Sequence, residues 1–288
     1  MKTQKVWFVT GASRGFGLEI VKAALAVGDQ VVATVRKNPE QVSATLGNHQ
    51  NLQVVVLDVT KVGQVKEGVE QAIAHFGQID VLVNNAGYGF LGAFEEATEE
   101  EISRQFETNV FGLLRVTQAI LPYMRQRATG HIINFSSAFG YRATVPGFGL
   151  YGSTKFAVEG ISEGLALEVN PLGIHVTSLA PGLFSTDFLS GDSYVVGANV
   201  LEAYAPTVGR TRVNAGQIHG NQPGDPAKLA QVVMELANSQ TPPVHLPVGK
   251  DAVAYFRSKV ATMEAEVDAW ESISASTDRE IEPAFPKS

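Results

Sequence analysis

The chain has 288 residues, 44% hydrophobic and 18% charged, enough apolar material for a buried core and too little charge for disorder as the dominant state. Its 22 Lys and Arg against 29 Asp and Glu leave a net charge of −7, a poor match for nucleic-acid backbones or anionic membranes. The absence of cysteine removes disulfides, thiolate metal sites and cysteine nucleophiles together. The opening Met1-Lys2-Thr3-Gln4-Lys5 carries no signal-peptide pattern, and no apolar run approaches the ~18 residues of a membrane span, so a cytoplasmic setting is expected.

In chain order, short apolar runs alternate with helical patterns. Val6–Thr10 is strand-like and Gly15–Ala26 helical, ending at Gly28. Val31–Val35 and Leu52–Leu57 follow as strands, Lys61–Phe76 as a helix, Ile79–Val83 as a strand, and Glu99–Met124 as one or two helices. His131–Phe135 and His175–Leu179 flank the helical Tyr151–Val169, and Val244–Val248 is a candidate seventh strand. The strands are continuously apolar rather than alternating, as expected when helices cover both faces of a parallel sheet. Repeated βα units predict a doubly wound α/β fold in a single domain.

Two regions break the rhythm. Ser190–Gly224, rich in Gly, Asn and Pro and without clear periodicity, is expected to be a lid or binding loop. It precedes a helix announced by Asp225-Pro226, an N-cap followed by proline in the first turn. In the tail, Phe256, Val260, Met263, Val267 and Trp270 recur every three or four residues between Glu264, Glu266, Asp268 and Glu271. That is an amphipathic helix, expected to pack on its own domain or otherwise on a partner subunit. The expected limits are 1–252 for the domain, with a substrate loop at about 188–224, and 253–288 for a C-terminal helical extension.

After the first strand comes Thr10-Gly11-Ala12-Ser13-Arg14-Gly15-Phe16-Gly17. Glycines there permit a tight turn, close approach of a pyrophosphate and packing of the helix on the sheet, while the helix N-terminus offers free N–H groups to phosphate. A carboxylate near the end of the second strand, about 20 residues on, would bind the ribose hydroxyls of NAD. Thr34-Val35-Arg36-Lys37 has none, and Arg36 is suited instead to a 2′-phosphate, with Arg14 able to join it. NADP(H) is therefore favoured over NAD(H). Asp58 and Val59 end the third strand, where a carboxylate suits the adenine amino group, and Asn84-Asn85-Ala86-Gly87 end the fourth. A cap or turn is the alternative for either.

Tyr151-Gly152-Ser153-Thr154-Lys155 opens a helix, and the i, i+4 spacing sets phenol and ammonium on one face. A cation ~5 Å away at an effective dielectric of ~20 contributes roughly 3 kcal/mol, about two pKa units of lowering, towards the range of a useful general acid. The six histidines are scattered without paired ligand spacing, and no metal site is expected.

Taken together, Gly11/Gly15/Gly17, Asn84–Gly87, Asn109, Ser136-Ser137, Tyr151/Lys155 and Pro181-Gly182 resemble the short-chain dehydrogenases/reductases in sequence and spacing over residues 5–187, and more loosely over 225–250. The resemblance implies a Rossmann-type sheet and hydride transfer between a nicotinamide and a carbonyl or alcohol. It implies Tyr151 as proton donor, Lys155 as its pKa-lowering partner and nicotinamide-ribose holder, Ser137 as orienter of the substrate oxygen, and Asn109 in a water-linked proton relay. It further implies cofactor contacts from Gly11, Ser13, Arg14, Gly15, Phe16, Gly17, Arg36, Asp58, Val59, Asn85, Ala86, Gly87, Pro181, Gly182 and Thr186, and a homodimer or homotetramer. Ser137 stands 14 residues before Tyr151, one more than the commoner family spacing; an extra residue between Gly140 and Pro146 absorbs this, and Ser136 is the weaker choice. Thr34-Val35-Arg36 and Val244–Ala252 are similar to the retinol and steroid dehydrogenase branch. Tyr88, Phe90, Phe139, Tyr141, Phe148, Phe184, Phe188 and Tyr194 flank the motifs, and about half are expected to line an apolar pocket for a bulky ketone or alcohol, the rest being core. The competing functions are a non-catalytic NADP(H)-binding regulator on the same fold and a serine hydrolase using Ser137. The first would not need the full proton path, and the second lacks a Gly-x-Ser-x-Gly elbow.

Overall fold

The structure is a computed structural model and describes residues 4–47, 49–186, 194–218 and 222–279. The first βα unit is β1 (Val6–Val9) and α1 (Gly15–Ala26), followed by β2 (Gln30–Val35), α2 (Pro39–Leu46), β3 (Leu52–Val56) and α3 (Val62–Phe76). Next come β4 (Val81–Asn84), a short β5 (Gly89–Leu91), α4 (Glu99–Phe106), a π-helical turn at Glu107–Phe111 and α5 (Gly112–Arg127). The second half carries β6 (Gly130–Phe135), α6 (Gly149–Val169), β7 (Ile174–Pro181), β8 (Tyr194–Val196) and α7 (Arg210–Ile218). It closes with α8 (Pro226–Leu236), β9 (His245–Val248) and α9 (Lys250–Ala275).

Seven strands pair in parallel in the order β3-β2-β1-β4-β6-β7-β9, with Trp7 opposite Val31 on one side and Val81 on the other. Both faces are covered, which is why these strands carry Val and Ile at nearly every position. Trp7, Val9, Ile20 and Val21 pack with Leu229 and Val233 of α8 on one face; Phe8, Val32 and Leu82 pack with Val69, Val116 and Ile120 on the other. Strand order runs outward in opposite directions from β1 and β4, so a crevice opens above the carboxyl ends of these two strands.

Two expectations are corrected. The run from Ser190 to Gly224 is not a bare loop, for it holds β8, which pairs with β5, short turns at Glu202–Tyr204 and Ala205–Gly209, and α7. The tail stripe does not lie on the domain. Phe256 meets Tyr141 at a ring separation of 4.9 Å, but beyond it Val260, Met263, Val267 and Trp270 are each at least 50% exposed, because α9 leaves the sheet after its first turns. Among the described residues no helix is long and apolar enough to cross a membrane.

Candidate active site

The turn after β1 is shaped by glycine. Gly11 and Gly15 take φ of +68° and +54°, and a Cβ on Gly17 would press on the Gly11 carbonyl oxygen. The turn is fastened to the end of β4 by side chains. Asn85 Nδ2 donates to the carbonyls of Thr10 (2.9 Å) and Gly11 (3.1 Å), and Thr10 Oγ1 accepts from the backbone N–H groups of Asn85 and Ala86, each at 3.0 Å. Below, buried Asn84 Nδ2 donates to Thr117 Oγ1 and to Asn134 Oδ1, tying β4 to α5 and β6. The result is a rigid cradle whose α1 N-terminus faces the crevice, the arrangement that receives phosphate.

The remaining predicted residues fall around this crevice to differing degrees. A Cβ on Gly15 would lie 3.8 Å from Thr186, which brings the Pro181-Gly182 loop over the glycine turn. Gly182 is pinned by β9, its N–H donating to Val248 O at 2.9 Å, and Leu183 N–H donates to Asp251 at 2.7 Å. Phe16 packs edge-on to Phe184, ring centres 5.3 Å apart, and its ring is therefore part of the support. Ser13 and Arg36 are exposed, Arg36 directly after β2, and Arg14 stands at the entry to α1. Asp58 uses Oδ1 to accept from the backbone and hydroxyl of Thr60, the turn-capping alternative, and the Val59 side chain is core.

Four polar side chains converge beside Gly87. Asn109 occupies the middle of the π-helical turn, a distortion found often at functional sites. Its Oδ1 accepts from Tyr88 N–H (3.1 Å), while Nδ2 donates to Tyr88 O (3.0 Å) and Thr154 Oγ1 (3.1 Å). A Cβ on Gly87 would lie 3.1 Å from Asn109 Oδ1 and 3.9 Å from Lys155 Nζ, so this glycine is what lets the two approach. Lys155 Nζ donates to Phe135 O at 2.7 Å and lies 5.7 Å from the centre of the Tyr151 ring. Ser137 hydrogen-bonds the Tyr151 hydroxyl, whereas Ser136 donates to Lys155 O and sits under Gly140. The geometry thus separates the two serines, with Ser137 at the phenol and Ser136 in the packing.

The electrostatics differ from the expectation drawn from spacing. Burial pushes the Tyr151 phenol up to about 12, with the Ser137 hydrogen bond pulling the other way, and burial pushes Lys155 down to about 8, opposed by Glu159. The two-unit lowering expected from Lys155 is not found. Desolvation outweighs a pairwise attraction in a site where both groups are enclosed and the ammonium is engaged with Phe135 O.

Tyr151 lies in an apolar cluster with Leu91, Phe148 and Ala215, flanked by Phe139 and Tyr194. Phe139 stacks on Phe148 at 5.3 Å and meets the Tyr151 ring edge-on at 6.1 Å. Of the other aromatics, Phe90 is fully buried, Tyr141 faces α9, Tyr88 is half-buried, and Phe188 lies outside the described residues. Tyr194 belongs to β8 and Ala215 to α7, so the segment running from β8 through α7 covers the phenol. Sequence reasoning missed what holds that cover. Glu96, 0% exposed, pairs with Arg212 at 2.5 Å and accepts from the N–H groups of Ala93 and Leu201; Glu101 accepts from Ala198 N–H, and Tyr204 donates to Glu95. The Arg212 hydrogen bond is the main reason the Glu96 carboxyl is held down at about 2.

Residues 5–193 match the family model described as short chain dehydrogenase. The chain belongs to the short-chain dehydrogenases/reductases. This family member is 40% identical over 272 residues to Oxidoreductase BOA17 of Botryotinia fuckeliana, covering 94% of the chain and 98% of that relative. It is 39% identical over 249 residues to 3-ketodihydrosphingosine reductase of Bacteroides thetaiotaomicron, covering 85% and 88%. A short-chain dehydrogenase crystal structure from Streptomyces avermitilis superposes with a TM-score of 0.89 at 41% identity, over 96% of this chain and all of that one. Solved neighbours carry either dinucleotide. ElxO with NADP bound has a TM-score of 0.72 at 26% identity over 88% and 100% of the two chains. A 3-ketoacyl-(acyl-carrier-protein) reductase from Brucella melitensis with NADH has a TM-score of 0.71 at 28% over 85% and 96%. These names do not single out the retinol and steroid branch. The chain is accordingly an oxidoreductase of this family.

Proposed function

We propose that this oxidoreductase is an NADP(H)-dependent carbonyl reductase acting on a bulky hydrophobic ketone or alcohol. The observation that carries the reading is the meeting of Tyr151, Ser137 and Lys155 beside Gly87, at the mouth of the glycine cradle. The cradle suits a dinucleotide, because positive φ at Gly11 and Gly15 makes the turn tight, Gly17 lets α1 close against Gly11 and Asn85, and the α1 N-terminus faces the crevice. Arg36 and Arg14 supply guanidinium groups suited to a 2′-phosphate where β2 ends without a carboxylate. Lys155 is suited to the nicotinamide ribose and Thr186 to the nicotinamide amide, and Asp58 keeps one carboxylate oxygen for the adenine side.

Bound there, the nicotinamide supplies the hydride chemistry. Ser137 orients the substrate oxygen towards the Tyr151 hydroxyl, and Tyr151 donates its proton to that oxygen. Asn109 holds the Tyr88 backbone and Thr154 in place and so fixes the helix start that carries Tyr151. Phe139, Phe148 and Tyr194 give the phenol an apolar surround, in keeping with a hydrophobic substrate and with the ketone-reducing name of the Bacteroides relative. The cytoplasmic setting and a homodimer or homotetramer belong to the same proposal.

The test is a spectrophotometric panel of aldehydes, ketones and alcohols with both cofactors, run on the wild type and on Tyr151→Phe. Turnover favouring NADPH, lost in the variant with NADPH binding retained, is the expected result. Tight binding without turnover over the whole panel would instead point to the regulatory alternative.

A further inference from the structure

Behind Lys155 lies a second set of ionisable groups that the proposed reaction does not use. Glu159 follows Lys155 by four residues on α6 and so shares its face of the helix. Its side chain is buried, 7% exposed, and both carboxylate oxygens accept: Ser178 Oγ of β7 donates to Oε1 at 2.7 Å and His245 Nδ1 of β9 lies 2.9 Å from Oε2. The other imidazole nitrogen lies 3.4 Å from Glu163 Oε1, and Glu163 is 67% exposed. The Tyr141 ring closes the remaining side, 6.0 Å from the His245 ring. From the crevice outwards the order is Lys155, Glu159, His245, Glu163, running from the buried interior to solvent.

We propose that Glu159 is a positioning residue that keeps Lys155 in its ammonium form, with Ser178 and His245 fixing the carboxylate where it does so. The inference rests on the assignment of Lys155 to the reaction and goes beyond it. A buried ammonium hydrogen-bonded to a backbone carbonyl, Phe135 O, with no counter-charge is expensive, and an isolated buried carboxylate would be as well. Setting them one turn apart offsets both costs. Around Glu159 stand Lys155 and, through His245, Glu163 from its own helix, Ser178 from β7, His245 from β9 and the Tyr141 phenol, and Lys155 is the lysine of this set. Burial alone lowers Lys155 and Glu159 is what opposes that lowering.

The experiment compares Glu159→Gln with the wild-type chain by two readouts. The first is the pH profile of kcat/KM; the second is the titration midpoint of Lys155 followed by NMR of protein labelled with 15N-lysine, which needs no turnover. Removing the carboxylate should move the Lys155 midpoint, and with it one limb of the profile, down by roughly one to two pH units. Glu159→Asp should recover part of the shift. Glu168→Gln, the same charge change on the solvent face of α6, should leave both readouts unmoved. If Glu159→Gln does not fold, Glu159→Leu carries the same expectation in an apolar isostere. A Lys155 midpoint that stays within 0.3 units (roughly the error of such a titration) in these variants, or that Glu168→Gln moves equally, overturns the proposal. A wild-type chain without turnover counts against the proposed reaction alone, because the NMR midpoint is read regardless.

Discussion

Gly17→Ala tests the cradle with one methyl group. The added Cβ presses on the Gly11 carbonyl oxygen and stands 2.7 Å from Asn85 Nδ2 and 3.0 Å from Ala12 Cα. Carbon contacts settle at about 3.5–4.0 Å, so the turn must move by roughly 0.5–1 Å. It cannot do so freely, because Asn85 Nδ2 holds the same Gly11 oxygen at 3.1 Å and Thr10 O at 2.9 Å. Overpacking costs about 1–3 kcal/mol and a lost hydrogen bond about 1 kcal/mol, together about 2–4 kcal/mol. For a chain of this length that is a fall in Tm of about 3–7 °C. NADPH affinity should drop by about 30-fold or more, since the displaced atoms are those of the proposed phosphate cradle. Gly15→Ala is the control: its Cβ meets nothing nearer than Thr186 at 3.8 Å, so only the strain of φ +54° remains, about 1 kcal/mol. Thermal melts and fluorescence titration with NADPH measure both variants. Gly17→Ala binding within threefold of wild type at an unchanged Tm would refute the clamp between the glycine turn and Asn85.

Arg36→Asp removes the guanidinium at the end of β2 and installs the carboxylate that suits NAD, so the ratio of kcat/KM for NADPH over NADH should fall by about 100-fold or more; a ratio that stays put rejects the phosphate assignment. Glu96→Gln leaves Arg212 half-paired in a buried site, a loss of about 3 kcal/mol that should appear as faster limited proteolysis between residues 198 and 212 and a raised KM; equal cleavage rates would mean that the ion pair does not hold the cover. The folded Glu96 carboxyl at about 2, against 4.5 unfolded, stabilises fully above pH 4.5 and loses its effect as pH falls towards 2, so the same variant should flatten the acid limb of Tm against pH. Burial holds His131 down at about 3 against 6.5 unfolded, which gives stability fully present above pH 6.5 and lost as pH falls towards 3. Between pH 7.5 and pH 5 this amounts to about 2 kcal/mol, and His131→Gln should remove that much pH dependence from urea unfolding; an unaltered difference would show that another group carries it.

How far these features were legible depends on whether their causes are local. α1 was readable to the residue because Gly15 opens it and Gly28 stops the chain that follows, both encoded within a few positions. The strands were readable because two-sided burial demands Val and Ile in unbroken runs. α2 was overlooked although Pro39 begins it and Gly47 ends it, since it buries only Val42 and so shows almost no apolar stripe. The order in 194–218 could not be read from its own composition, for it is imposed by Glu95, Glu96 and Glu101, about 100 residues earlier, and an acidic run of that kind reads as a solvated face. His245 opens β9, but its partner Glu159 is 86 residues away, beyond the reach of any local pattern. The Tyr151 and Lys155 pairing was visible in the spacing, whereas its energetics were not, because an i, i+4 rule contains the attraction and not the desolvation.

That last difference bears on direction. A phenol held at about 12 keeps its proton at every pH at which the fold is expected to work, and an ammonium near 8 is mostly charged at neutrality. The enclosed pair therefore rests as Tyr–OH beside Lys–NH3+, the state ready to protonate a carbonyl oxygen. Alcohol oxidation needs the phenolate first, and burial disfavours that form relative to a free tyrosine. The same apolar cover of Phe148, Leu91 and Ala215 that desolvates the phenol is the surround proposed for a hydrophobic substrate, so the feature that would favour such a substrate is also the one that keeps Tyr151 protonated.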